Sequence, residues 1–445
     1  MKLIYDVKDK PNFGQLLIFA FQQLLAILAA TIAVPTIVGN GMSQSAALFG
    51  AGVGTIIYLL FTKFKSPVFL GSSFAFIGSM LAAFAGAVST AAGYVGLIIG
   101  AVFAGLVYVV IAIVVKFAGV KWIDKLMPTV VIGPTVAIIG LSLAVNAVGD
   151  SLSLAQAAET GGFVMTGSGW VGLICAFVTM FTIMLSSVYG KKMMKLIPFI
   201  IGIVAGYIVA TIFTLIGMST GNEALLIIDY SKFASMQWLP DFTFLQAASG
   251  LKDINAAYIA TVAVAYIPVA FVVFAEHIAD HKNLSSVINR ELLEEPGLHR
   301  TLLGDGVGSM AGALFGGCPN TTYGESVGCV AITGNASVVT ILATAILAIV
   351  ISFFGPFVTF LATIPSCVMG GVCITLYGFI AVSGLKMIQA VDFEDNKNIF
   401  IVSVILITGI GGMSLQIGQV TLTEVACALI LGIISNLILS KKQKQ

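Results

Sequence analysis

Apolar stretches of about twenty residues recur along the whole chain, and that recurrence leaves the polypeptide few folds to choose from. A helix needs about 20 predominantly apolar residues to cross a bilayer. In lipid every backbone N–H and C=O must be satisfied internally, which admits helices and closed barrels only. Such stretches occupy 14–38, 45–62, 68–87, 91–117, 127–147, 169–189, 194–217, 255–279, 299–316, 317–334, 336–361, 366–388, 398–413 and 420–440, fourteen in all. The third and tenth are short and interrupted. Composition agrees: 58% of the 445 residues are hydrophobic and only 9% charged, against about one-quarter charged in a soluble domain. A net charge of +1 offers no basic footprint for nucleic acid. The opening MKLIYDVKDKPNFGQ is polar and lacks an apolar core with a cleavage site, so no signal peptide is expected.

Charge placement tests the count. With both termini in the cytoplasm, the inside loops hold Lys2, Lys8, Lys10, Lys63, Lys65, Lys116, Lys121, Lys125, Lys191, Lys192, Lys195, Lys282, Arg290, Arg300, Lys386, Lys397, Lys441, Lys442 and Lys444. Of the 21 basic residues only Lys232 and Lys252 fall outside, in a long loop where the positive-inside bias is weak. An even number of spans is the parity that produces this asymmetry.

Two segments repeat. LFGAGVGT (48–55) matches LLGDGVGS (302–309), and MPTVVIGPT (127–135) matches IPSCVMGGV (364–372), in the same order at offsets of 254 and 237 residues. Each half then holds seven spans, an odd number, so the second copy inserts upside down. Inverted repeats are a recurring plan of secondary transporters. The repeat pairs the third span, where FLGSSFAFIG (69–78) weakens a helix, with the tenth, where CPNTTYGESVG (318–328) places a carboxylate and several other polar residues among glycines and a proline. Interrupted segments at corresponding positions of two halves are the best sequence pointer to a transporter's binding site.

Ionisable residues inside the spans are few: Glu276, His277, Asp305, Glu325 and Glu424, with Asp280 and His281 at a span end. Glu276 follows a solid apolar run, and an intramembrane carboxylate is a functional site by default, able to take up and release protons. Asp305, five residues from Arg300 near a span start, reads first as a structural partner, and Glu424 as a helix-start acid favoured by the dipole. His277 and His281, four apart, share a helix face. Glu276 and His281, five apart, lie about 140° from each other around a helix, so any cooperation between them needs a helix break or a water. His281 as a proton relay and as a plain interfacial residue stand level. The six cysteines (175, 318, 329, 367, 373, 427) show no CxxC or Cys/His spacing, which leaves neither disulfides nor metal ligands. No phosphate loop, catalytic Ser/His/Asp order or metal cluster is present, so neither an enzyme nor a cofactor is expected.

AEHIADH (275–281), PNTTYGESVG (319–328), LGSSFAFI (70–77) and EEPGLHR (294–300) resemble the signature stretches of the nucleobase–ascorbate transporter family, and within it those of its bacterial uracil:proton symporters. The likeness runs from PNFGQ at residue 11 to the last span. It implies fourteen segments in two inverted repeats of seven, with short antiparallel strands in segments 3 and 10. It also implies a core domain (1–120 and 251–362) and a gate domain (121–250 and 363–445), in a protein of the cytoplasmic (inner) membrane that is usually a homodimer. By the same resemblance Glu276 and Glu325 bind the uracil ring through their carboxylates, and the backbone amides of Phe74 and Gly324 meet its carbonyl oxygens. Glu276 and His281 take part in proton coupling, with Ser73, Tyr323 and Tyr377 as further candidates close by. Two positions depart from the pattern: Gln22-Gln23 stands where members commonly carry Gln-His, and Asp305 where close uracil carriers carry an uncharged polar residue. Other substrates that such a chain could carry are a different nucleobase (thymine, xanthine) or, in the anion exchangers and channel-like proteins of the same fold, an anion. An anion site calls for a basic residue, whereas this one offers two carboxylates.

Overall fold

The computed structural model describes residues 3–119, 128–157, 162–191, 194, 197–236, 238–417, 420–422 and 424–440. Lys2, Lys121, Lys125, Lys192, Lys195, Lys441, Lys442 and Lys444 of the charge pattern lie outside the described residues.

Each apolar stretch overlaps a helix, or a strand that runs into one. Helices α1 (Phe13–Val38) and α2 (Gln44–Phe61) begin at Asn12 and Ser43, whose side chains accept from the N–H three residues on. The third stretch is strand β1 (Leu70–Ser72), a 3-10 turn (Phe74–Phe76) and helix α3 (Ile77–Ala85). Then come α4 (Thr90–Ala118), α5 (Thr129–Ser142), α6 (Ala144–Ser151), a hairpin of β2 (Gln156–Ala157) and β3 (Phe163–Val164), α7 (Gly167–Tyr189) and α8 (Pro198–Thr220). The second half runs α9 (Ala256–Ile288), α10 (Leu298–Gly316), strand β4 (Asn320–Thr322), α11 (Gly324–Thr333), α12 (Val338–Ser352) and α13 (Gly355–Thr363). It ends with α14 (Ser366–Ile388), α15 (Asn396–Ile410), a hairpin of β5 (Leu415–Ile417) and β6 (Val420–Leu422), and α16 (Glu424–Ser440), which Glu424 opens as expected. Among the described residues eight helical segments are long and apolar enough to span a membrane unaided, or nine if α12 and α13, bent by 81°, count as one.

In two places the helices depart from the bounds of the apolar stretches. The eleventh stretch is not one straight helix: Pro356 sits in the first turn of α13, where a missing N–H costs nothing, and the chain restarts there at a new angle. The eighth does not end at 279. Helix α9 continues to Ile288, because polar residues end a hydrophobic stretch without ending a helix, and Asn289 in the left-handed conformation caps it instead.

The chain divides into two compact units, Met1–Ser142 with Pro240–Val350 and Ile380–Gln445, and Leu143–Leu239 with Ile351–Phe379. In the first, α2 and α10 run antiparallel with their backbones in contact. A Cβ on Gly54 would stand 2.7 Å from the Gly308 carbonyl oxygen, and one on Gly308 2.8 Å from that of Gly54. On one side of this crossing Gly50 abuts Gly312, and on the other Gly304 abuts Tyr58. Glycine is what lets two helices approach this closely. At one end of the unit the N-terminal segment docks: the Ala336 and Val338 amides donate to the Tyr5 and Val7 carbonyls, Arg290 pairs with Asp6 and Lys65 with Glu295. At the other, Ser89 donates to Asp253 and Tyr94 to the Asn40 carbonyl. Loops that the charge pattern assigns to one side therefore gather at one end.

In the second unit, α7 buries Cys175, Thr179 and Ile183 and α8 buries Gly202, Gly206 and Ala210, each at helical spacing, and the two helices pack together. Tyr207 and Thr363 share a hydrogen bond of 2.8 Å. All six cysteines are buried.

Candidate functional site

Strands β1 and β4 pair antiparallel with Leu70 opposite Thr322, Gly71 opposite Thr321 and Ser72 opposite Asn320. The Ser73 amide adds a bond to the Pro319 carbonyl (2.9 Å) and the Tyr323 amide one to the Phe69 carbonyl (3.3 Å). Both strands follow one plan: three paired residues, one extended residue (Ser73, ψ 123°; Tyr323, ψ 123°), then a helical turn opening at Phe74 or Gly324. N–H groups in the first turn of a helix lack intrahelical partners and carry the positive end of its dipole. Two such helix starts thus flank one small two-stranded sheet.

Side chains hold this sheet in place where lipid-facing backbone could not be tolerated. Thr55 of α2 accepts from the Leu70 amide at 2.9 Å, and Asn320 donates to the Gly50 carbonyl. Ser326 Oγ accepts both from the Phe69 amide (3.0 Å) and from Gln23 Nε2 (2.5 Å). Gln23, at the position where the resembled family commonly has His, therefore ties α1 to α11 and β1. Removing a partner from a buried donor costs about 1–3 kcal/mol; Ser326→Ala strands the Phe69 amide and leaves Gln23 Nε2 only its 3.4 Å bond to the Ser326 carbonyl. Ser326→Ala is expected to lower thermal stability in detergent. An unchanged melting temperature would show that the Phe69 amide finds another acceptor.

Glu276 lies on α9 and Glu325 in the first turn of α11, where an acid is favoured. Phe74, Glu276 and Glu325 are partly accessible and Gly324 is exposed, while the strand residues around them are buried. Ser73 is buried, and its hydroxyl has no hydrogen-bond partner among the described residues. Tyr323 is buried too: its hydroxyl donates to the Ser72 carbonyl at 2.8 Å, passing over Gly71, where any Cβ would stand 2.3 Å from the ring. It braces β1. Tyr377 lies in the second unit, buried on α14.

His281 is fully buried, because α9 continues past it. Its Nδ1 donates to the His277 carbonyl (2.8 Å), and its Nε2 meets the Tyr58 hydroxyl (2.6 Å). The residue that shares a face with Glu276 is Asp280, four positions on and partly accessible. Asp280 Oδ2 accepts from Thr322 Oγ1 at 2.8 Å, and its Oδ1 lies against Gly324, 3.7 Å from where a Cβ would be. The carboxyl groups of Asp280, Glu325 and Asp305 lie near Glu276. The i, i+4 spacing was the available signal for Asp280, obscured by reading it as the end of a span. Asp305 does not pair with Arg300, which donates to the Phe61 carbonyl; it pairs with His277. The two histidines share a face as expected, their rings stacked at 4.1 Å. What stands together here is a group of carboxylates, Glu276, Asp280, Glu325 and Asp305, beside the helix start at Gly324. Among the described residues no cluster of His, Cys, Asp and Glu is arranged to hold a metal.

A sequence profile described as "Permease family" matches residues 14–418. The chain is 40% identical over 443 residues to a uracil permease of Bacillus caldolyticus, covering 98% of this chain and 95% of that one. It is 36% identical over 450 residues to the uracil permease of Bacillus subtilis (100% and 97% covered), and 32% identical over 429 residues to that of Escherichia coli K12 (96% and 92%). Among solved structures, the transmembrane domain of the cyanobacterial bicarbonate transporter BicA matches with TM-score 0.63 at 16% identity, covering 98% of this chain and 99% of that one. The murine anion transporter Slc26a9, in its inward-facing state, matches with TM-score 0.66 at 13% identity, covering 98% and 70%. At such identities the likeness is one of fold alone.

Proposed function

Since the chain belongs to the Permease family and is a multi-pass membrane transporter rather than an enzyme, we propose that it imports uracil together with protons by alternating access. The observation that carries this reading is the group of carboxylates beside the helix start at Gly324, in a chain whose relatives at 32–40% identity are named uracil permeases. Uracil presents N–H donors and C=O acceptors along its edge, and all lose water on entering a membrane. A carboxylate accepts from N–H and a helix-start amide donates to O, so Glu276 and Glu325 take the ring nitrogens' hydrogens while the amides of Phe74 and Gly324 meet the carbonyl oxygens. The Phe74 ring covers a face of the base. Ser73 stands near the substrate, Tyr377 is a further candidate, and Tyr323 acts through the backbone it braces.

The proton is taken up among Glu276, Asp280 and their neighbours, with His281 linked to them through α9. The fourteen-segment inverted repeat draws support from α2 and α10. Gly54 and Gly308, equivalent by the 254-residue offset, meet each other, while the Gly50–Gly312 and Gly304–Tyr58 contacts exchange under that same offset. A two-fold axis between the halves produces that pattern. In this reading 1–120 with 251–362 form the core and 121–250 with 363–445 the gate. The protein works as a homodimer in the cytoplasmic membrane with both termini inside.

A site that hydrogen-bonds every edge group rejects analogues that leave protein groups unpaired. In competition against labelled uracil on the purified protein, unlabelled uracil is expected to displace, and xanthine to need at least about 100-fold more. Equal displacement by xanthine or thymine would move the assignment to another nucleobase, and displacement by an inorganic anion alone would remove it.

A further inference from the structure

Helix α9 runs on past its apolar stretch, and the chain then folds back to begin α10 at Leu298. Along this return lies a cleft of about 730 Å³. Its apolar part is formed by Ile278, near the end of the apolar stretch, with Leu293 and Leu298. Lys282 and Ser286, one and two turns past Ile278 on the same helix face, are exposed along one wall. Glu291 and Glu294, also exposed, line the cleft from the returning segment. At 1.5 Å per residue, Lys282 stands about 6 Å along the helix from Ile278. The headgroup layer on each side of a bilayer's hydrocarbon core is about 5–8 Å deep. The cleft therefore lies at headgroup level. In the other direction Phe271, Ile267 and Val264, all half-buried, continue the Ile278 face of α9 into the apolar stretch.

Charge decides what fits there. Arg290, at the rim, is engaged by Asp6, and nearby Lys65 by Glu295. Among the described residues no ion partner reaches Lys282, Glu291 or Glu294. One ammonium thus shares the cleft with two carboxylates. A purely anionic headgroup would bring its charge against Glu291 and Glu294, and a purely cationic one would oppose Lys282. A headgroup of both signs suits all three: phosphate oxygens accept from Lys282 and Ser286, while an ammonium donates to the carboxylates. A trimethylated ammonium has no N–H to donate. We propose that this cleft holds a membrane phospholipid whose headgroup joins a phosphate to a primary ammonium, with an acyl chain along the Ile278–Phe271–Ile267–Val264 face of α9. The bilayer presents such a lipid continuously at this depth, so contacts that are individually weak at an exposed surface fill the site. None of these residues belongs to the group around Glu276 and Glu325, so the inference does not depend on which solute is carried.

The test is native mass spectrometry of the full-length protein in detergent, with phosphatidylethanolamine, phosphatidylcholine and phosphatidylglycerol of identical chains added at equal concentration. The ethanolamine lipid is expected to be retained at about three- to tenfold the level of either other lipid, the scale of one or two exposed ion pairs. Lys282→Gln and the double variant Glu291→Gln/Glu294→Gln are each expected to erase that preference while keeping the wild-type melting temperature. They alter separate segments, so one serves where the other fails to fold. Equal retention of the three lipids by the wild type, or a preference that survives in either folded variant, would overturn the proposal. Glycerophosphoethanolamine, the same headgroup without chains, is expected to leave the lipid in place. Displacement by it at equal concentration would make the cleft a site for a soluble zwitterion and overturn the lipid assignment.

Discussion

Uracil binding is expected to disappear in Glu276→Ala, with affinity falling by about 100-fold or more and the melting temperature little changed. Losing one partner of a buried, charge-assisted hydrogen bond costs about 2–5 kcal/mol, and each 1.4 kcal/mol is about tenfold. The loss falls on the ligand, because the Glu276 carboxylate bonds no other described residue and is partly accessible. Isothermal titration with a thermal-stability scan separates the two effects. Retained affinity would remove Glu276 from the site, and a collapsed protein would make it structural.

The second large effect is structural. Gly54→Leu is expected to abolish the folded protein or leave it severely destabilised, beyond the roughly 1–3 kcal/mol typical of an overpacked core. A Cβ at Gly54 would meet the Gly308 carbonyl oxygen at 2.7 Å and Asn320 Nδ2 at 2.4 Å. The first is backbone and cannot swing aside. The second donates to the Gly50 carbonyl, so displacing it loosens β4 as well. Size-exclusion chromatography and yield in detergent measure the outcome. A monodisperse, uracil-binding Gly54→Leu protein would mean that α2 and α10 separate more readily than their contact implies.

Much of this was legible in the sequence, because lipid imposes a length and a composition on every span. Helices form where the apolar stretches lie, and the interrupted third and tenth stretches became the paired strands β1 and β4. Glu276 and Glu325 stood out as carboxylates in apolar surroundings. What escaped were consequences of three-dimensional neighbours. Asp280 and His281 read as lying at a span end, yet α9 continues to Ile288, which turns His281 into the interior and leaves Asp280 on the Glu276 face. Asp305 looked towards Arg300 in sequence, but α10 faces α9 there and presents it to His277. Tyr323 read as a site residue, while its hydroxyl reaches the backbone of a strand 251 positions away. Pairings over such distances leave no periodic trace in a single sequence.

The central claim is that proton flow drives uracil inward, and labelled-uracil uptake into proteoliposomes with and without an imposed inward proton gradient measures it most directly. Uracil is expected to accumulate above its external concentration only while the gradient lasts, and to leak back to equilibrium when a protonophore dissipates it. Uptake that reaches the same equilibrium level with and without the gradient would contradict proton coupling and make the protein a facilitator.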